Sequence, residues 1–541
     1  MTEPAQRTVP ELLLLRLAAT PDREAFRAPT KSGWRTLSWR EVGVTVREVA
    51  CGLRALGLQA EERCAILSTT RVEWILVDLG ILCAGGATTT IYPSNTAEEC
   101  AYILSDSEAK VAFAEDLGQL AKLSAHRAEL PKLGRVVLFD GEPPAEAGDW
   151  VISLSELRDR GRGFHAAEPE RFEEVARAVG PDALATLVYT SGTTGQPKGV
   201  ELIHDCWAYE AEAIDALGLL GEDDLQYLWL PLSHVFGKVL EVAQLRIGFA
   251  SAVDGRIDKL TENLAEVKPT FVAAVPRIFE KVRAKVVASA EASPLKARLF
   301  RWALSVGERV SKLRLDGKRP PLFLALQNEL ADRLVFSKLK ARFGGRLRFF
   351  VSGSAPLSDE VARFFDATGI LICEGYGLTE SSAASFINLP DRRRFGTVGM
   401  PLPGTEVEIA DDGEILIRSR GVMRGYHHLP EATTEALTQD GWLRTGDIGH
   451  LEDGFLRITD RKKDLIKTSG GKYVAPQALE GKLKALCPYV SQVLVHGNNR
   501  NYCVALLTLD EEAARGWAHA QGLNGIPISE LSRRDELRRM L

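Results

Sequence analysis

Paired cysteines, metal-ligand spacings and a surplus of positive charge are all missing from this sequence of 541 residues. The eight cysteines are scattered without a Cys-x-x-Cys pair, and the nine histidines show no ligand spacing. This pattern indicates reduced, structural thiols in a cytosol rather than disulfides or a zinc site. The formal net charge of −6 argues against a general nucleic-acid-binding protein.

Long apolar runs are missing as well. No window approaches about eighteen uninterrupted apolar residues, so we expect no bilayer-spanning helix. The first ten residues contain no basic region followed by an apolar core, which argues against secretion and favours a cytoplasmic protein. The chain is too long for one hydrophobic core, and its 45% hydrophobic and 26% charged residues are ordinary for a soluble globular protein.

The most informative segment that is present covers residues 189–200, YTSGTTGQPKGV, between two apolar, β-rich runs. Its three glycines let backbone N–H groups turn inward around an anion, and Lys198 adds a cation. Several hydroxyl groups add donors, and these belong to Ser191, Thr193 and Thr194. This combination of groups is more typical of a polyphosphate-binding loop than of a plain Gly/Thr hairpin turn. A P-loop would need Gly-Lys-Ser or Gly-Lys-Thr opening a helix, so a kinase or P-loop NTPase is disfavoured.

This loop resembles the phosphate-binding signature of the adenylate-forming superfamily, which includes acyl-CoA synthetases, luciferases and peptide-synthetase adenylation domains. The resemblance implies that the loop grips the β- and γ-phosphates of ATP, with Thr190 also near Mg²⁺. The predicted phosphate-site residues are Thr190, Ser191, Gly192, Thr193, Thr194, Gly195 and Lys198.

A second signature, YGLTE at residues 376–380, follows a strand-like run at 369–373. By the same resemblance Tyr376 stacks on adenine, Thr379 touches the α-phosphate and Glu380 helps to hold Mg²⁺. A hard cation prefers a carboxylate and a flat base an aromatic face. Alone, this motif is more typical of a helix start capped by threonine. Nearby backbone is also predicted to contact adenine, at Gly353, Ser354 and Gly375.

The third signature is TGD at 445–447, followed by the charged cluster DRKKD at 460–464. The resemblance implies that Asp447 accepts hydrogen bonds from both ribose hydroxyls, which requires an acceptor-only group with two oxygens. It also implies that Arg461 adds a donor toward the same sugar. The next segment, 465–476, matches the loop that enters the active site for thioester formation. Lys467 and Lys472 are therefore candidates for that step, although Lys472 fits an exposed surface lysine equally well. The signatures keep the family order over residues 189–476, and the resemblance covers nearly the whole chain.

The element pattern predicts an α/β fold. Short apolar runs alternate with amphipathic helical stretches up to about residue 372, as in layered α/β proteins. We therefore expect a large N-terminal domain of two layered α/β subdomains. Close-spaced strands at 405–459 indicate a small distorted β-barrel, followed by a small, incomplete α+β C-terminal domain. The predicted boundaries are 1–459 for the adenylation domain, 460–464 for a hinge and 465–541 for the lid.

The carboxylate substrate is indicated by two further segments. Residues 230–239, LPLSHVFGKV, resemble the motif that precedes the acyl-binding wall, with His234 beside the substrate carboxylate. A helix-capping histidine is the alternative. Residues 269–281 and the helical insert up to 340 look most like long-chain acyl-CoA synthetases. The resemblance implies that a fatty acid and ATP give an acyl-adenylate and pyrophosphate, and that coenzyme A then displaces AMP.

The insert is basic. Residues 277–348 contain eighteen Lys or Arg against six acids, within a chain that is net negative. A solvated charged face is the first interpretation. Because apolar side chains are interleaved, peripheral binding to an anionic membrane, at the inner face of the cell membrane, is the second. A homodimer is a further expectation, and nucleic acid is not an expected partner.

One part of the family pattern is not found. Relatives carry a catalytic lysine in a segment reading roughly Leu-Thr-Pro-x-Leu-Lys, and no such segment follows Asp510. On this basis we expect a chain truncated at the C-terminus that binds ATP but adenylates slowly. Two other functions stay open: an acyl-AMP ligase that passes its adenylate to a carrier protein, and a nucleotide- or acyl-binding protein with impaired catalysis.

Overall fold

The computed structural model describes residues 7–190, 196–469, 473–487, 489–523 and 525–540. Short strands and longer helices alternate along most of these ranges. The strands are β1 Glu24–Thr30, β2 Gly33–Ser38, β3 Arg63–Leu67, β4 Ala87–Ile91, β5 Val111–Ala114, β6 Arg135–Leu138, β7 Val151–Ser153, β8 Leu184–Thr190, β9 Lys198–Ile203, β10 Leu225–Leu228, β11 Ala250–Val253, β12 Phe271–Ala274, β13 Phe349–Ser352, β14 Leu371–Tyr376, β15 Phe386–Ile387, β16 Met400–Pro401, β17 Glu406–Ile409, β18 Glu414–Arg418, β19 Gly425–Tyr426, β20 Leu443–Glu452, β21 Phe455–Arg461, β22 Ile466–Lys467, β23 Tyr473–Val474, β24 Val490–His496 and β25 Val504–Leu509.

The helices carry the buried faces that cover these strands. They are α1 Val9–Ala19, α2 Trp39–Ala55, α3 Val72–Cys83, α4 Ala97–Asp106, α5 Leu117–Ala125, α6 Leu154–Ala167, α7 Arg171–Ala178, α8 His204–Ala216, α9 Val235–Ile247, α10 Leu260–Val267, α11 Pro276–Glu291, α12 Pro294–Leu315, α13 Leu322–Ala331, α14 Ser337–Arg342, α15 Asp359–Ala367, α16 Pro430–Ala436, α17 Pro476–Leu486, α18 Glu511–Ala520, α19 Ile528–Leu531 and α20 Asp535–Met540. A π-helical turn, Asp332–Phe336, joins α13 to α14.

Two large sheets form the N-terminal part. The first has the strand order β19-β9-β8-β4-β3-β5-β6-β7, and its strands from β8 to β7 run parallel. The second has the order β16-β15-β14-β13-β12-β10-β11-β1-β2, with parallel pairing from β14 to β1. Parallel sheets need helical crossovers that cover both faces. The predicted α/β architecture is therefore confirmed.

The region predicted as a small barrel contains four antiparallel strands in the order β17-β18-β20-β21. Its last strand, β21, extends to Arg461 and so runs into the predicted hinge. Two small antiparallel pairs, β22–β23 and β24–β25, follow with α17 and α18.

One large apolar cluster draws on both parallel sheets. Its largest fully buried side chains include Trp39, Trp74, Trp207 and Tyr227. Helix α3 is buried along its whole length, which explains the continuous apolar run in that part of the sequence. Because the two layers share this core, the residues at their facing strand ends are held in fixed relation.

The basic insert forms helices α11 to α14. Helix α12 packs on α15 and α13, with a small apolar cluster that includes Ala303, Val306 and Phe336. Among the residues described by the structure, no helix is both long and apolar enough to cross a membrane.

Candidate active site

A cavity of about 850 Å³ opens where the two large sheets and the four-stranded sheet meet. Its wall collects predicted site residues from distant parts of the sequence. These are Thr190, Lys198, His234, Gly353, Ser354, Gly375, Tyr376, Thr379, Glu380 and Arg461. The structure thus places ten of the predicted residues around one space.

The predicted phosphate loop connects β8 to β9. These strands pair antiparallel, and Thr190 lies opposite Lys198 at the open end of the hairpin. Residues 191–195, which include Ser191, Gly192, Thr193, Thr194 and Gly195, lie outside the described residues, as does Lys472. Their roles stay predictions, while the strands on both sides of the loop direct Thr190 and Lys198 to the cavity wall.

Asp447 is bonded to two residues of that wall. The Tyr376 hydroxyl donates to Oδ2 of Asp447 at 2.6 Å, and Arg461 Nε lies 3.2 Å from Oδ1. Asp447 faces Arg461 across the β20–β21 pair and is only 3% exposed. Burial raises the pKa of Asp447, while the Tyr376 hydrogen bond and the Arg461 charge act in the opposite direction. The contacts with Tyr376 and Arg461 therefore fix the orientation of the Asp447 carboxylate before a ligand binds.

Glu380 contributes a carboxylate to the cavity wall. Its Oε1 accepts a hydrogen bond of 2.8 Å from the Tyr426 hydroxyl. Lys198 Nζ lies 5.1 Å from the centroid of the same tyrosine ring. Thr379, beside Glu380, is buried. A carboxylate, a lysine and threonine hydroxyls thus stand together in one part of the cavity.

The oxygen atoms of this region suit a cation that is bound partly by the protein and partly by phosphate groups. Within the described ranges, no group of three or more His, Cys, Asp or Glu side chains could hold a metal ion. Mg²⁺ commonly uses one or two protein oxygens and takes its remaining ligands from phosphates and water. The Glu380 carboxylate and the Thr190 hydroxyl, both in the wall, are oxygen ligands of the required kind.

His234 caps helix α9 and also lines the cavity. Its Nδ1 accepts a hydrogen bond from the Phe236 backbone N–H at 3.1 Å. The neutral ring therefore carries its proton on Nε2. Burial lowers the pKa of His234, which keeps it neutral at physiological pH. Both interpretations of this histidine, as a cap and as a cavity residue, are compatible with the geometry.

The predicted adenine contacts lie where two strands end. Gly375 on β14 pairs with Ile387, and a Cβ there would lie 3.1 Å from the Phe386 carbonyl oxygen. Gly353 and Ser354 follow β13, with Ser354 at φ +68°. A side chain at Gly375 would therefore crowd the backbone of the neighbouring strand β15.

Beyond the polar end, the wall becomes apolar. The side chains come from α8, α9, β12, β13 and neighbouring loops. They include Ile214, Leu217, Leu219, Leu220, Val239, Leu240, Phe271, Phe349 and Leu402. One cavity therefore combines groups suited to a nucleotide with groups suited to a hydrocarbon chain.

Comparison with known proteins agrees with this geometry. Residues 15–427 match the family described as AMP-binding enzyme, and residues 463–526 match the AMP-binding enzyme C-terminal domain. The chain belongs to the AMP-binding enzyme family.

Curated relatives of this AMP-binding enzyme extend over most of its length. It is 39% identical to the long-chain-fatty-acid–CoA ligase FadD15 of Mycobacterium bovis (strain ATCC BAA-935 / AF2122/97), over 92% of this chain and 81% of that protein. It is 32% identical to the long-chain-fatty-acid–CoA ligase ACSBG2 of Xenopus laevis, over 90% of this chain and 67% of that protein.

Solved structures of similar fold include a Mycobacterium tuberculosis fatty acyl CoA synthetase. It has a TM-score of 0.65 and 25% identity, and the match covers 95% of this chain and 92% of that chain. The adenylation domain of a Mycobacterium chelonae carboxylate reductase has a TM-score of 0.73 and 23% identity, over 96% and 82% of the chains. The latter likeness concerns the fold alone.

Lys467 is not part of the cavity wall in this arrangement of the AMP-binding enzyme. It is exposed on β22, where its backbone N–H donates to Asn498 Oδ1 at 3.2 Å and its carbonyl accepts from Asn499 N–H at 2.8 Å. The structure therefore does not bring Lys467 together with the nucleotide residues.

Several polar residues of the cavity wall were not predicted as site residues from the sequence. Besides Tyr426, they include Glu414 and Lys462, which form an ion pair of 2.9 Å in the cavity wall. Glu414 Oε1 also accepts from the Gly446 N–H at 2.9 Å and so supports the TGD turn. Glu414 begins strand β18 directly after an Asp-Asp-Gly turn. A carboxylate at the start of a largely buried strand is unusual, and this position is the sequence feature that could have indicated Glu414 as a site residue.

Proposed function

We propose that this AMP-binding enzyme is an ATP-dependent long-chain fatty acid–CoA ligase. One observation carries the proposal: a single cavity joins the nucleotide signatures to an apolar wall. A fatty acid bound there would place its chain against apolar side chains and its carboxylate near the phosphates. Curated relatives at 38–39% identity, named long-chain-fatty-acid–CoA ligases, support this substrate class.

In the first half-reaction, a carboxylate oxygen attacks the α-phosphorus of ATP, the α,β-bridging P–O bond breaks and pyrophosphate leaves. Lys198 would neutralise charge on the departing phosphates, and Thr379 would contact the α-phosphate. Mg²⁺, held by Glu380 and Thr190 together with the phosphates, would add positive charge there. Neutral His234 would donate from Nε2 to the fatty carboxylate and fix its orientation.

The nucleoside would be bound by the other end of the polar wall. The Tyr376 ring would stack on adenine beside Gly353, Ser354 and Gly375. Asp447 would accept hydrogen bonds from the ribose hydroxyls, because an ionised carboxylate has two acceptor oxygens and no donor. Arg461, paired with Asp447, would add a donor near the sugar.

In the second half-reaction, the thiolate of coenzyme A attacks the acyl carbonyl carbon, the bond from that carbon to the AMP oxygen breaks, and AMP leaves. In our proposal, the C-terminal part rotates before this step, and Lys467 and Lys472 then take part in thioester formation. The proposed units are residues 1–459, a hinge at 460–464 and a lid at 465–541. Domain rotation is a known way for one site to perform two steps.

A panel of carboxylic acids, scored for AMP and pyrophosphate release with and without coenzyme A, tests the function. We expect palmitate and similar acids to support AMP release, with acyl-CoA as the product when coenzyme A is present. Acyl transfer to a carrier protein alone would favour the acyl-AMP ligase. Absence of pyrophosphate release with every acid would favour a non-catalytic binding protein.

Peripheral binding to an anionic membrane is also part of this proposal. Helix α13 and the following π-helical turn expose leucines spaced four residues apart, at Leu322, Leu326, Leu330 and Leu334, with Phe323 beside them. Leu322 and Phe323 are 78% and 73% exposed.

Basic side chains flank this leucine stripe, at Lys318, Arg319, Arg333 and Lys338, and all four are exposed. Exposed apolar groups on α13, with cationic groups on the segments before and after it, suit the interface of an anionic bilayer, where a fatty acid substrate also resides. A homodimer stays a prediction, which light scattering in solution would check.

A further inference from the structure

Tyr426 is placed by strand β19, which adds to the edge of the sheet beside the phosphate-loop strand β9. Tyr426 lies opposite Val200 and Gly425 opposite Glu201, and the His427 N–H donates to the Gly199 carbonyl at 2.8 Å. The strand pairing therefore brings Tyr426 within two register positions of Lys198. A 2.6 Å contact from Glu201 to the His427 ring and a 2.8 Å ion pair from Glu201 to Arg424 fix both ends of β19.

The segment before Tyr426 holds Glu380 from two directions. The Met423 N–H donates to the Glu380 carbonyl at 2.8 Å, and the Tyr426 hydroxyl donates to Glu380 Oε1 at 2.8 Å. The backbone and the carboxylate of Glu380 are thus both tied to residues 423–426. The Tyr426 hydroxyl is the donor in its bond to Glu380, since a carboxylate oxygen can only accept.

The aromatic face of Tyr426 contacts the other charged residue of this region. Lys198 Nζ lies 5.1 Å from the ring centroid, within the range of a cation–π interaction. Tyr426, Lys198 and Glu380 all line the cavity. One side chain therefore orients a carboxylate through its hydroxyl and a lysine through its ring.

We infer that Tyr426 is a positioning residue that sets the Glu380 carboxylate for Mg²⁺ and Lys198 for the terminal phosphates of ATP. This inference rests on the proposed function. Hydrogen-bonded partners of metal-binding carboxylates contribute about 10–100-fold to metal affinity or activity in other proteins. Because the two contacts use different parts of the side chain, substitution can separate them.

The test measures ATP binding by calorimetry without fatty acid, so that no adenylate forms, once with excess Mg²⁺ and once with EDTA. Tyr426→Phe keeps the ring and removes the hydroxyl. We expect about a tenfold smaller Mg²⁺-dependent gain in ATP affinity, with an EDTA value within about twofold of the unaltered protein. Tyr426→Leu also removes the ring, and we expect it to weaken ATP binding in EDTA as well.

Two controls make the result specific. Tyr209→Phe deletes a buried hydroxyl that bonds Thr405 at 2.6 Å outside the cavity wall, and it should change neither affinity. In a Glu380→Gln background, Tyr426→Phe should add less than about twofold, because the hydroxyl acts through that carboxylate. Thermal midpoints would confirm that every variant is folded.

The inference is overturned if Tyr426→Phe retains the full gain from Mg²⁺, or loses affinity equally with and without the metal. Failure of the unaltered protein to bind ATP in either buffer would instead overturn the proposed function.

Discussion

Among single residues, Asp447 offers the most direct test of nucleotide binding. Replacement by Asn keeps the shape but turns one oxygen into a donor and removes the charge that pairs with Arg461. We expect Asp447→Asn to weaken ATP binding about 10–100-fold, because hydrogen bonds to a charged group contribute about 1.5–3 kcal/mol.

Calorimetric titration with ATP measures this loss. Asp453→Asn is the matched control, since Asp453 is 77% exposed on its side chain and pairs with Arg394. Equal ATP affinity for Asp447→Asn and Asp453→Asn would contradict the ribose role.

His204 gives a prediction about pH. It is fully buried at the start of α8, with Nδ1 accepting from the Val9 N–H at 3.4 Å, and burial lowers its pKa to about 3. The native state therefore holds it neutral while the unfolded chain binds a proton below pH about 6.5. This contribution to stability is present above pH about 6.5 and is lost as the pH falls.

Between pH 7 and pH 5, the His204 contribution to the free energy of unfolding should fall by about 2 kcal/mol. Denaturant unfolding of the unaltered protein and of His204→Gln at both pH values measures this. The variant should show the smaller pH dependence, and identical pH dependences would refute the assignment.

Residues inside contiguous motifs could be predicted from the sequence, because each motif carries its own turn or strand end. Lys198, Tyr376 and Glu380 were found in this way and all line the cavity. Tyr426 was not found, since its partner Glu380 is 46 residues away and is reached only through the β9–β19 pairing.

Among the secondary-structure elements, helix α13 carries the exposed leucines on which the proposed membrane binding depends. We expect Leu326→Glu/Leu330→Glu to reduce co-sedimentation with anionic vesicles at low salt about tenfold, because charged side chains oppose insertion at the interface. Leu494→Glu/Leu506→Glu is the matched control, since both leucines are exposed on the β24–β25 pair. Absence of vesicle binding by the unaltered protein would reject membrane association, and equal loss in both variants would reject a role for α13.

Helix α11 contacts the C-terminal part through Arg277. Its Nη2 lies 3.0 Å from Ser491 Oγ and 3.4 Å from Asp510 Oδ2. Without these bonds the C-terminal part should move more readily, and trypsin should cleave after Arg461, Lys462 or Lys463 severalfold faster in Arg277→Met.

Arg301→Met provides the comparison for this proteolysis, because Arg301 donates to the Ala297 carbonyl of its own helix, α12. Cleavage of both variants at the rate of the unaltered protein would show that Arg277 does not restrain the C-terminal part.

The type and approximate position of many elements followed from the sequence. The strand-like run predicted at 369–373 overlaps β14, and the close-spaced strands predicted at 405–459 include β17, β18 and β20. The N-terminal hairpin of β1 and β2 was not predicted, because its exposed, arginine-containing strands lack a clear apolar alternation. Its place in the second sheet depends on parallel pairing with β11, more than 200 residues later.

For the whole molecule, the contact between the two α/β layers includes a buried ionic cluster. Lys238 of α9 donates to Asp78 of α3, and both side chains are almost completely buried. The rings of Trp74 and Trp207 lie 5.7 and 5.6 Å from the Lys238 ammonium group. Burial raises the pKa of nearby Glu241 well above its usual value.

Lys238→Met should reduce the free energy of unfolding by about 3–5 kcal/mol, because it leaves Asp78 as an uncompensated buried charge. The double variant Lys238→Met/Asp78→Leu should recover much of this loss. Chemical denaturation of the two variants measures the difference. Equal stability of the single and double variants would contradict the argument.

Sheet order at this scale could not be derived from sequence patterns. Strand β12 pairs with β13 across the whole helical insert, and β9 pairs with β19 more than 200 residues away. Local patterns do not encode such partners, although they correctly indicated two α/β layers.

The pairing of Arg461 with Asp447 has a consequence for the order of events. The carboxylate that would receive the sugar of ATP already holds the first cation of the connector to the C-terminal part, and Lys462 is held next to it by Asp412 and Glu414. Under the proposed function, an arriving nucleotide would have to share or displace this ion pair, and departing AMP would restore it. The connector would then respond directly to nucleotide binding. The reactant itself, rather than a separate signal, would time the proposed rotation of the C-terminal part between the two steps.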